Sequence, residues 1–134
     1  MDSVRKMMAQ DPFAGHLGIE LLGLEAGSAR ARMPVEEFHK NPFGMVHGGA
    51  IFALADYVFQ AACNSHGVLA VAIQASITYL QAAKSPVLYA EASEVSRTRR
   101  LGTYAIRVTE EGGALVALFQ GTAYRMPEKP HGSV

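Results

Sequence analysis

Apolar side chains occupy nearly every position of one long stretch of the sequence, residues 49–65. This run is longer than a common strand and shorter than the ~18 apolar residues that cross a bilayer, which favours a helix. Gly67 follows it, as is typical where a helix ends in a left-handed residue. A helix that is apolar on almost all sides must be surrounded by other elements, so the pattern predicts a buried central helix.

The rest of the sequence alternates apolar and polar residues with the period of two that is typical of strands. Short turns separate these segments, the clearest at Gly27 and at residues 111–113. Since short connections favour antiparallel neighbours, the pattern predicts an α+β fold in which an antiparallel sheet curls around the central helix. The predicted strands span residues 19–26, 28–33, 71–80, 87–96, 103–109 and 114–125. For residues 71–80 we expect one face on the core.

The two ends of the chain carry weaker signals. Residues 2–10 suit a short helix that Asp11 and Pro12 end, because proline removes a backbone donor and restricts the residue before it. Residues 127–134 contain two prolines and a glycine without a core-forming pattern, so we expect a frayed tail. Since no repeat or linker interrupts the sequence, residues 1–134 are predicted to form one domain.

Charge and composition exclude several classes of partner. Lysine plus arginine equals aspartate plus glutamate at 12 each, a balance that argues against nucleic acid as a partner. Cys63 has no second cysteine for a disulfide, and the five histidines lack ligand spacing, so we predict no metal. No segment has the apolar pattern of a signal peptide or a membrane span; we expect no membrane partner and a cytoplasmic location.

Asp56 is the only formally charged residue in the apolar helix. A carboxylate is rarely buried without a partner, and an apolar site disfavours its charged form. Two explanations remain open: Asp56 performs chemistry, or it accepts hydrogen bonds that fix the packing of the helix. Gln60 and Cys63 lie one and two turns further along and share its face, which makes that face polar for its surroundings.

A glycine-rich segment leads into the same helix. Gly44, Gly48 and Gly49 let a ligand approach the backbone closely, and the first amides of a helix point outward without partners. Such amides can bind the oxyanion that forms when a carbonyl is attacked. The alternative is that these glycines only turn the chain into the helix.

Gly48 and Asp56 are too far apart in one chain to act on the same carbonyl carbon. Their separation along a helix is about 12 Å. Two copies related by a two-fold axis solve this problem, because the start of the helix in one copy can face the middle of the helix in the other, giving two equivalent sites. We therefore expect a homodimer as the catalytic unit.

At these positions the sequence resembles a known family. The pattern N-x-x-G-x-x-H-G-G-x-x-x-x-L-A-D, residues 41–56, is similar to the signature of the hotdog-fold thioesterases. Residues 77–83 and 116–125 are similar to their phenylacetate-degradation branch, which is 4-hydroxybenzoyl-CoA thioesterase-like. The resemblance covers residues 12–126. It implies a hotdog fold, acyl-CoA as the substrate, and a homotetramer built from two dimers.

The resemblance also implies a role for each matching residue. Asp56 is the nucleophile or the general base, and the Gly48 amide of the neighbouring subunit polarises the thioester carbonyl. Asn41 and His47 orient the water or the carbonyl. Some relatives carry a catalytic serine on the first strand after the helix, where this sequence has Ala72.

Arginine and aromatic residues that this pattern does not specify are further candidates for substrate binding. Arg97, Arg99 and Arg100 lie at a predicted hairpin, where guanidinium groups either bind the phosphates of coenzyme A or face solvent. The resemblance favours coenzyme A. Phe52 either lines a pocket for the acyl group or belongs to the core, and Gly49, at the start of the predicted helix, is a further candidate for contact with the substrate.

Hydrolysis of a thioester suits these residues, because the thiolate of coenzyme A is a good leaving group and one carboxylate with one oxyanion donor suffices. No cofactor is needed, since coenzyme A is part of the substrate. The acyl group is expected to be small, and an aromatic group of the phenylacetyl type suits the nearby aromatic residues. Two other functions remain open. A dehydratase of hydroxyacyl thioesters would use His47 as base and Asp56 as acid, and a non-catalytic acyl-CoA-binding protein would retain Asp56 for structure alone.

Overall fold

The predicted central helix, α3, spans Gly48–Asn64 in the structure, a computed structural model that describes residues 1–131. Leu54, Val58 and Ala61 are fully buried along it. Gly67 follows with a φ of 84°, in the left-handed region where glycine has no steric penalty. The buried helix that the apolar run predicts is therefore confirmed.

Six antiparallel strands form one sheet that wraps around α3, as predicted. They are β1 (Glu20–Glu25), β2 (Ser28–Pro34), β3 (Val68–Tyr79), β4 (Val87–Arg97), β5 (Leu101–Glu110) and β6 (Leu115–Pro130). The order across the sheet is β1-β2-β4-β5-β6-β3, so the strand that follows α3 lies at one edge. A single 3₁₀ turn, Glu37–His39, interrupts the connection between β2 and α3.

Small residues on the inner face of the sheet let α3 lie close to it. Ala31, Ala92 and Ala123 are fully buried on strands that contact the helix. At Gly121 a methyl group would lie only 2.7 Å from the ring of Phe59. Interiors are packed too densely to absorb such an overlap, so the aromatic ring depends on the absence of a side chain at that position.

Two helices precede the sheet, one more than predicted. Helix α1 spans Asp2–Ala9, and α2 spans Pro12–Leu17. The prediction that Asp11 and Pro12 only end a helix is wrong. The Asp11 carboxylate accepts a hydrogen bond from the Ala14 N–H at 3.1 Å and caps α2, while proline fits the first helical position because no donor is needed there. None of the helices within residues 1–131 is long and apolar enough to cross a membrane.

Strand β3 is exposed on both faces along most of its length. The prediction that one face of this segment lies on the core is wrong for the single chain: Ala70 is buried, but Ile73 and Tyr79 are 59% and 50% exposed. The pairing with β6 shifts register between Ala72 and Gln74, which interrupts the alternation of faces. Within the described residues, no strand pairs with the other edge of β3.

The C-terminal residues continue the sheet instead of fraying. Val68 at the start of β3 pairs with Pro130, and the His131 N–H donates to the Gly67 carbonyl oxygen at 2.6 Å. The predicted frayed tail is therefore wrong up to residue 131, because Pro130 and His131 bond to residues at the start of β3 and Glu128 forms an ion pair with Arg100. Residues 132–134 of that prediction lie outside the described part of the chain.

Candidate active site

Asp56 lines a small cleft between the middle of α3 and the beginning of β3. The cleft has a volume of about 230 Å³. Gln60 and Cys63, which were predicted to share a face with Asp56, line the same cleft, and Ala70 and Ala72 border it from β3. The structure therefore brings these three side chains of α3 together at an opening on the surface.

The surroundings of Asp56 raise the pKa of its carboxyl group above the ordinary value. Burial, which strips water from the carboxylate, is the larger cause, and the negative charge of Asp11 adds to it. Within residues 1–131, no hydrogen bond or cation stabilises the ionised form of Asp56. The alternative explanation requires hydroxyl or arginine partners that fix Asp56 for packing, and the described residues supply none. Because its pKa is raised, the Asp56 carboxylate is also a stronger base than a carboxylate in water.

His47 and the neighbouring glycine peptides form a fixed arrangement at the start of α3. His47 is the N-cap residue, and its Nδ1 accepts a hydrogen bond from the Gly49 N–H at 3.0 Å. The N–H groups of Ala50 and Ile51 donate to the His47 carbonyl oxygen. The Gly48 N–H has no acceptor within the part of the chain that the structure describes. Among these first amides, it is the one left for a ligand, with the positive end of the helix dipole behind it.

Asn41 shapes the loop that leads to the start of α3. Its Oδ1 accepts hydrogen bonds from the N–H groups of Phe43 at 2.9 Å and Met45 at 3.1 Å. An asparagine that bonds to the backbone two residues further on closes a turn, and Gly44 follows in it with a φ of 81°. The structure therefore shows Asn41 holding the loop, and its expected contact with water or the carbonyl stays a prediction.

The start of α3 and Asp56 open to different clefts of the same chain. Gly48 lines a groove together with Tyr79, near the C-terminal end of β3. Asp56 faces the cleft bordered by Ala72, nearer the N-terminal end of that strand. One chain therefore carries both halves of the predicted site without joining them, as the spacing along the helix predicts.

The three arginines predicted to hold coenzyme A have different surroundings. Arg97 lies with Nη1 2.6 Å from Nδ1 of His66, and Arg100 forms an ion pair with Glu128 at 3.1 Å. Arg99 is exposed, and within residues 1–131 its side chain takes part in no hydrogen bond or ion pair. Two of the three guanidinium groups are thus held by other residues, which leaves Arg99 the most available for a phosphate.

Phe52 packs edge-to-face on Phe119, with ring centroids 5.2 Å apart, and is partly buried against the core. Its role in binding the acyl group stays a prediction. Phe59 packs near Tyr104 at 5.9 Å and also lines the Asp56 cleft. Burial raises the pKa of the Cys63 thiol to about 12, which matches a cysteine that packs and does not react.

Tyr79 is a neighbour of Gly48 to which the sequence analysis gave no role, although it lies in the segment 77–83 that resembles the family. Its hydroxyl donates to the Gly48 carbonyl oxygen at 2.9 Å. A Cβ at Gly48 would lie 3.2 Å from the Tyr79 ring, so glycine leaves the space that the ring needs. The two residues are 31 positions apart and belong to different elements, and periodicity carries no information about such a contact.

Comparison with known proteins identifies the family of this chain. The sequence model of the thioesterase superfamily matches residues 43–117, more than half of the chain, including Gly48 and Asp56. The chain belongs to the thioesterase superfamily. A relative within this superfamily is a candidate esterase of Archaeoglobus fulgidus, 42% identical over 91% of this chain and 80% of that protein.

Two further comparisons concern the PaaI protein of Escherichia coli. Its sequence, named acyl-coenzyme A thioesterase PaaI, is 34% identical over 90% of this chain and 86% of the relative. The solved structure of the E. coli PaaI protein from the phenylacetic acid degradation operon has a TM-score of 0.89 at 32% identity, covering 93% of this chain and 91% of that chain. The predicted hotdog fold and the assignment to the thioester hydrolases are confirmed.

Proposed function

We propose that this thioesterase-superfamily protein hydrolyses an acyl-CoA thioester to the free acid and coenzyme A. The observation that carries the proposal is the Asp56 carboxylate, which lines an open cleft, is partly desolvated and lacks a neutralising partner within the described residues. The free N–H of Gly48 supplies the second requirement, a donor for the oxyanion. The name of the E. coli relative, acyl-coenzyme A thioesterase, supports the substrate class.

In the proposed reaction the thioester carbonyl oxygen accepts a hydrogen bond from the Gly48 N–H. Asp56 either takes a proton from water, whose oxygen adds to the carbonyl carbon, or adds its own carboxylate oxygen to that carbon. The carbon–sulfur bond then breaks and coenzyme A leaves as its thiolate. In the second route water afterwards hydrolyses the anhydride formed on Asp56. The charge that develops on the carbonyl oxygen is stabilised by the N–H and by the dipole of α3.

We place the two halves of the site in a homodimer joined along β3. An exposed edge strand of 12 residues is a ready template for pairing with a second copy. Tyr79, which contacts Gly48, lies at one end of β3, and Ala72, which borders the Asp56 cleft, lies nearer the other. An antiparallel pairing that sets Tyr79 opposite Ala72 of the partner subunit has its two-fold axis close to Ala75. In that arrangement each start of α3 approaches the other chain's carboxylate.

For the acyl group we propose a small aromatic residue of the phenylacetyl type. The phenylacetic acid operon of the E. coli neighbour and the ring of Phe59 in the cleft wall support this choice. Arg99 is the proposed contact for the phosphates of coenzyme A, and Arg97 and Arg100 join it if they exchange their present partners. We further propose that two dimers form a homotetramer and that the enzyme acts in the cytoplasm.

The capping role of His47 argues against a dehydratase. Because Nδ1 accepts a hydrogen bond from the Gly49 N–H, the neutral ring carries its proton on Nε2. Neither ring nitrogen is then free to take a proton from a substrate unless the cap breaks. Hydrolysis requires no base from His47, so the geometry favours it.

A panel of acyl-CoA thioesters tests the proposal. Phenylacetyl-, benzoyl-, acetyl- and hexanoyl-CoA are each incubated with wild type, Asp56→Asn and the exposed control Asp2→Asn, and free thiol is measured with a thiol reagent. We expect thiol release by wild type and the control, and a kcat at least ~100-fold lower for Asp56→Asn. This variant should unfold at no lower temperature than wild type, because it no longer desolvates a charge.

Two outcomes of the panel contradict the proposal. A thioester that is converted without release of thiol indicates a dehydratase. Acyl-CoA binding without turnover of any member, unchanged by Asp56→Asn, indicates a binding protein in which this carboxylate is structural.

A further inference from the structure

The peptide group between Gly48 and Gly49 is held at both of its ends by side chains. Its carbonyl oxygen accepts a hydrogen bond from the Tyr79 hydroxyl at 2.9 Å, and its N–H donates to Nδ1 of His47 at 3.0 Å. Tyr79 is the last residue of β3, and His47 belongs to the loop before α3. We call these two hydrogen bonds the peptide clamp; it ties the start of the helix to the edge strand.

The peptide clamp acts on the peptide group next to the one that carries the proposed oxyanion donor. The Gly48 N–H points in a direction set by the backbone torsions of Gly48 and its neighbours, and glycine restricts those torsions less than any other residue. A donor stabilises a developing oxyanion most when its direction is fixed before the reaction begins. Two hydrogen bonds to the adjoining peptide supply the restriction that a glycine backbone lacks.

We infer that Tyr79 is a positioning residue for hydrolysis: its hydroxyl orients the Gly48 amide toward the substrate carbonyl. The inference rests on the proposed thioesterase function, with Gly48 as donor. Tyr79 acts through the peptide group and has no contact with the reacting atoms. Tyr79 also lies on β3, the strand proposed to join the two copies. The direction of the Gly48 N–H therefore depends on how the two β3 strands align in the dimer.

The variant Tyr79→Phe tests this inference, because it keeps the ring and removes the hydroxyl. We expect kcat for phenylacetyl-CoA, or for the best substrate of the panel, to fall at least ~10-fold while KM stays the same. Tyr89→Phe is the matched control: Tyr89 lies on β4, and within residues 1–131 its hydroxyl makes no hydrogen bond. Replacement of Tyr79 by 4-aminophenylalanine restores a donor at this position and should restore kcat.

A spectroscopic measurement separates positioning from a general effect on folding. Phenylacetyl-CoA labelled with ¹³C at its carbonyl is bound to Asp56→Asn, which holds the intact thioester, and the carbonyl stretching frequency is recorded by infrared difference spectroscopy. A well-aimed Gly48 N–H lowers this frequency relative to solution. Adding Tyr79→Phe should move it back toward the solution value, and adding Tyr89→Phe should not.

The outcomes distinguish this inference from the proposed function. An unchanged kcat in Tyr79→Phe, a loss confined to KM, or an unmoved carbonyl frequency overturns the role of Tyr79 while wild-type hydrolysis stands. If the wild-type protein releases no thiol from any acyl-CoA, the proposed function is overturned instead. Should Tyr79→Phe fail to fold or assemble, the 4-aminophenylalanine variant decides: a kcat near that of wild type supports the inference, and one about tenfold lower overturns it.

Discussion

Nδ1 of His47 and the N–H of Gly49, 3.0 Å apart, form the N-terminal cap of the helix that carries Asp56. A capping side chain satisfies one of the amides that a helix leaves without a partner. This contact gives the histidine of the H-G-G sequence a physical task that involves no proton transfer. It also keeps the backbone rigid next to the Gly48 N–H, where the proposed chemistry needs a fixed donor.

The capping role predicts different results for two substitutions of His47. Asparagine offers a side-chain oxygen that caps helices well, so His47→Asn should keep most of the activity and stability. His47→Ala loses the acceptor and should cost about 1 kcal/mol of unfolding free energy and about tenfold in kcat. Denaturant unfolding and thiol release measure the two effects. An equal loss of kcat in both variants would mean that the imidazole itself takes part in the chemistry.

The raised pKa of Asp56 predicts the acid side of the pH–rate profile. The carboxylate must be ionised to act as base or nucleophile, so kcat/KM falls as pH drops through the pKa of Asp56, which lies above the ordinary value of 3.8. Asp11→Asn removes the nearby negative charge and keeps a cap for α2, so the pKa of Asp56 falls and the inflection moves to lower pH. Asp2→Asn, on α1, serves as the control. An inflection that stays in place or moves upward in Asp11→Asn would refute this electrostatic explanation.

The contact between Gly121 and Phe59 predicts a loss of stability on adding one methyl group. Gly121→Ala places Cβ 2.7 Å from the ring and should cost about 1–3 kcal/mol of unfolding free energy, as overpacked cores do. Gly15→Ala, in α2 with no atom within 4 Å of the added carbon, is the control and should be close to neutral or slightly stabilising. Unfolding by urea at one protein concentration measures both. A neutral Gly121→Ala would show that the ring moves aside freely.

The sequence was sufficient to predict the elements that depend on local pattern. Helix α3 is buried on almost all sides and therefore has an apolar run. Apolar and polar residues alternate in β2, β4, β5 and β6 because these strands are buried on one face. These predictions are confirmed. Asp56 stood out because a charge in an apolar helix needs an explanation. The rise of a helix also predicts that Gly48 and Asp56 lie too far apart to act together within one chain, and the structure places them in different clefts.

Two of the three failures of prediction have a common cause, which is that neighbours distant in sequence decided the outcome. The third is local: Asp11 and Pro12 suit the end of one helix and the beginning of another, and here the Asp11 carboxylate caps α2 through the Ala14 N–H. The side chains of β3 alternate as in a half-buried strand, but in one chain they are exposed at a sheet edge. Prolines at residues 127 and 130 suggested a tail, although the end of β6 accommodates them beyond the last residue that pairs with β5.

Complementation between two inactive variants tests most directly the central claim that each site combines Asp56 of one subunit with Gly48 of the other. Asp56→Asn lacks the carboxylate, and Gly48→Pro lacks the N–H; proline suits the backbone of the first position of α3, and its Cβ, 3.2 Å from the Tyr79 ring, requires only a small shift of that ring. Mixed dimers of the two contain one site with both defects and one intact site. Equal co-expression should therefore restore thiol release to about a quarter of the wild-type rate, because half of the dimers are mixed. Activity that stays at the level of the separate variants would contradict a shared site.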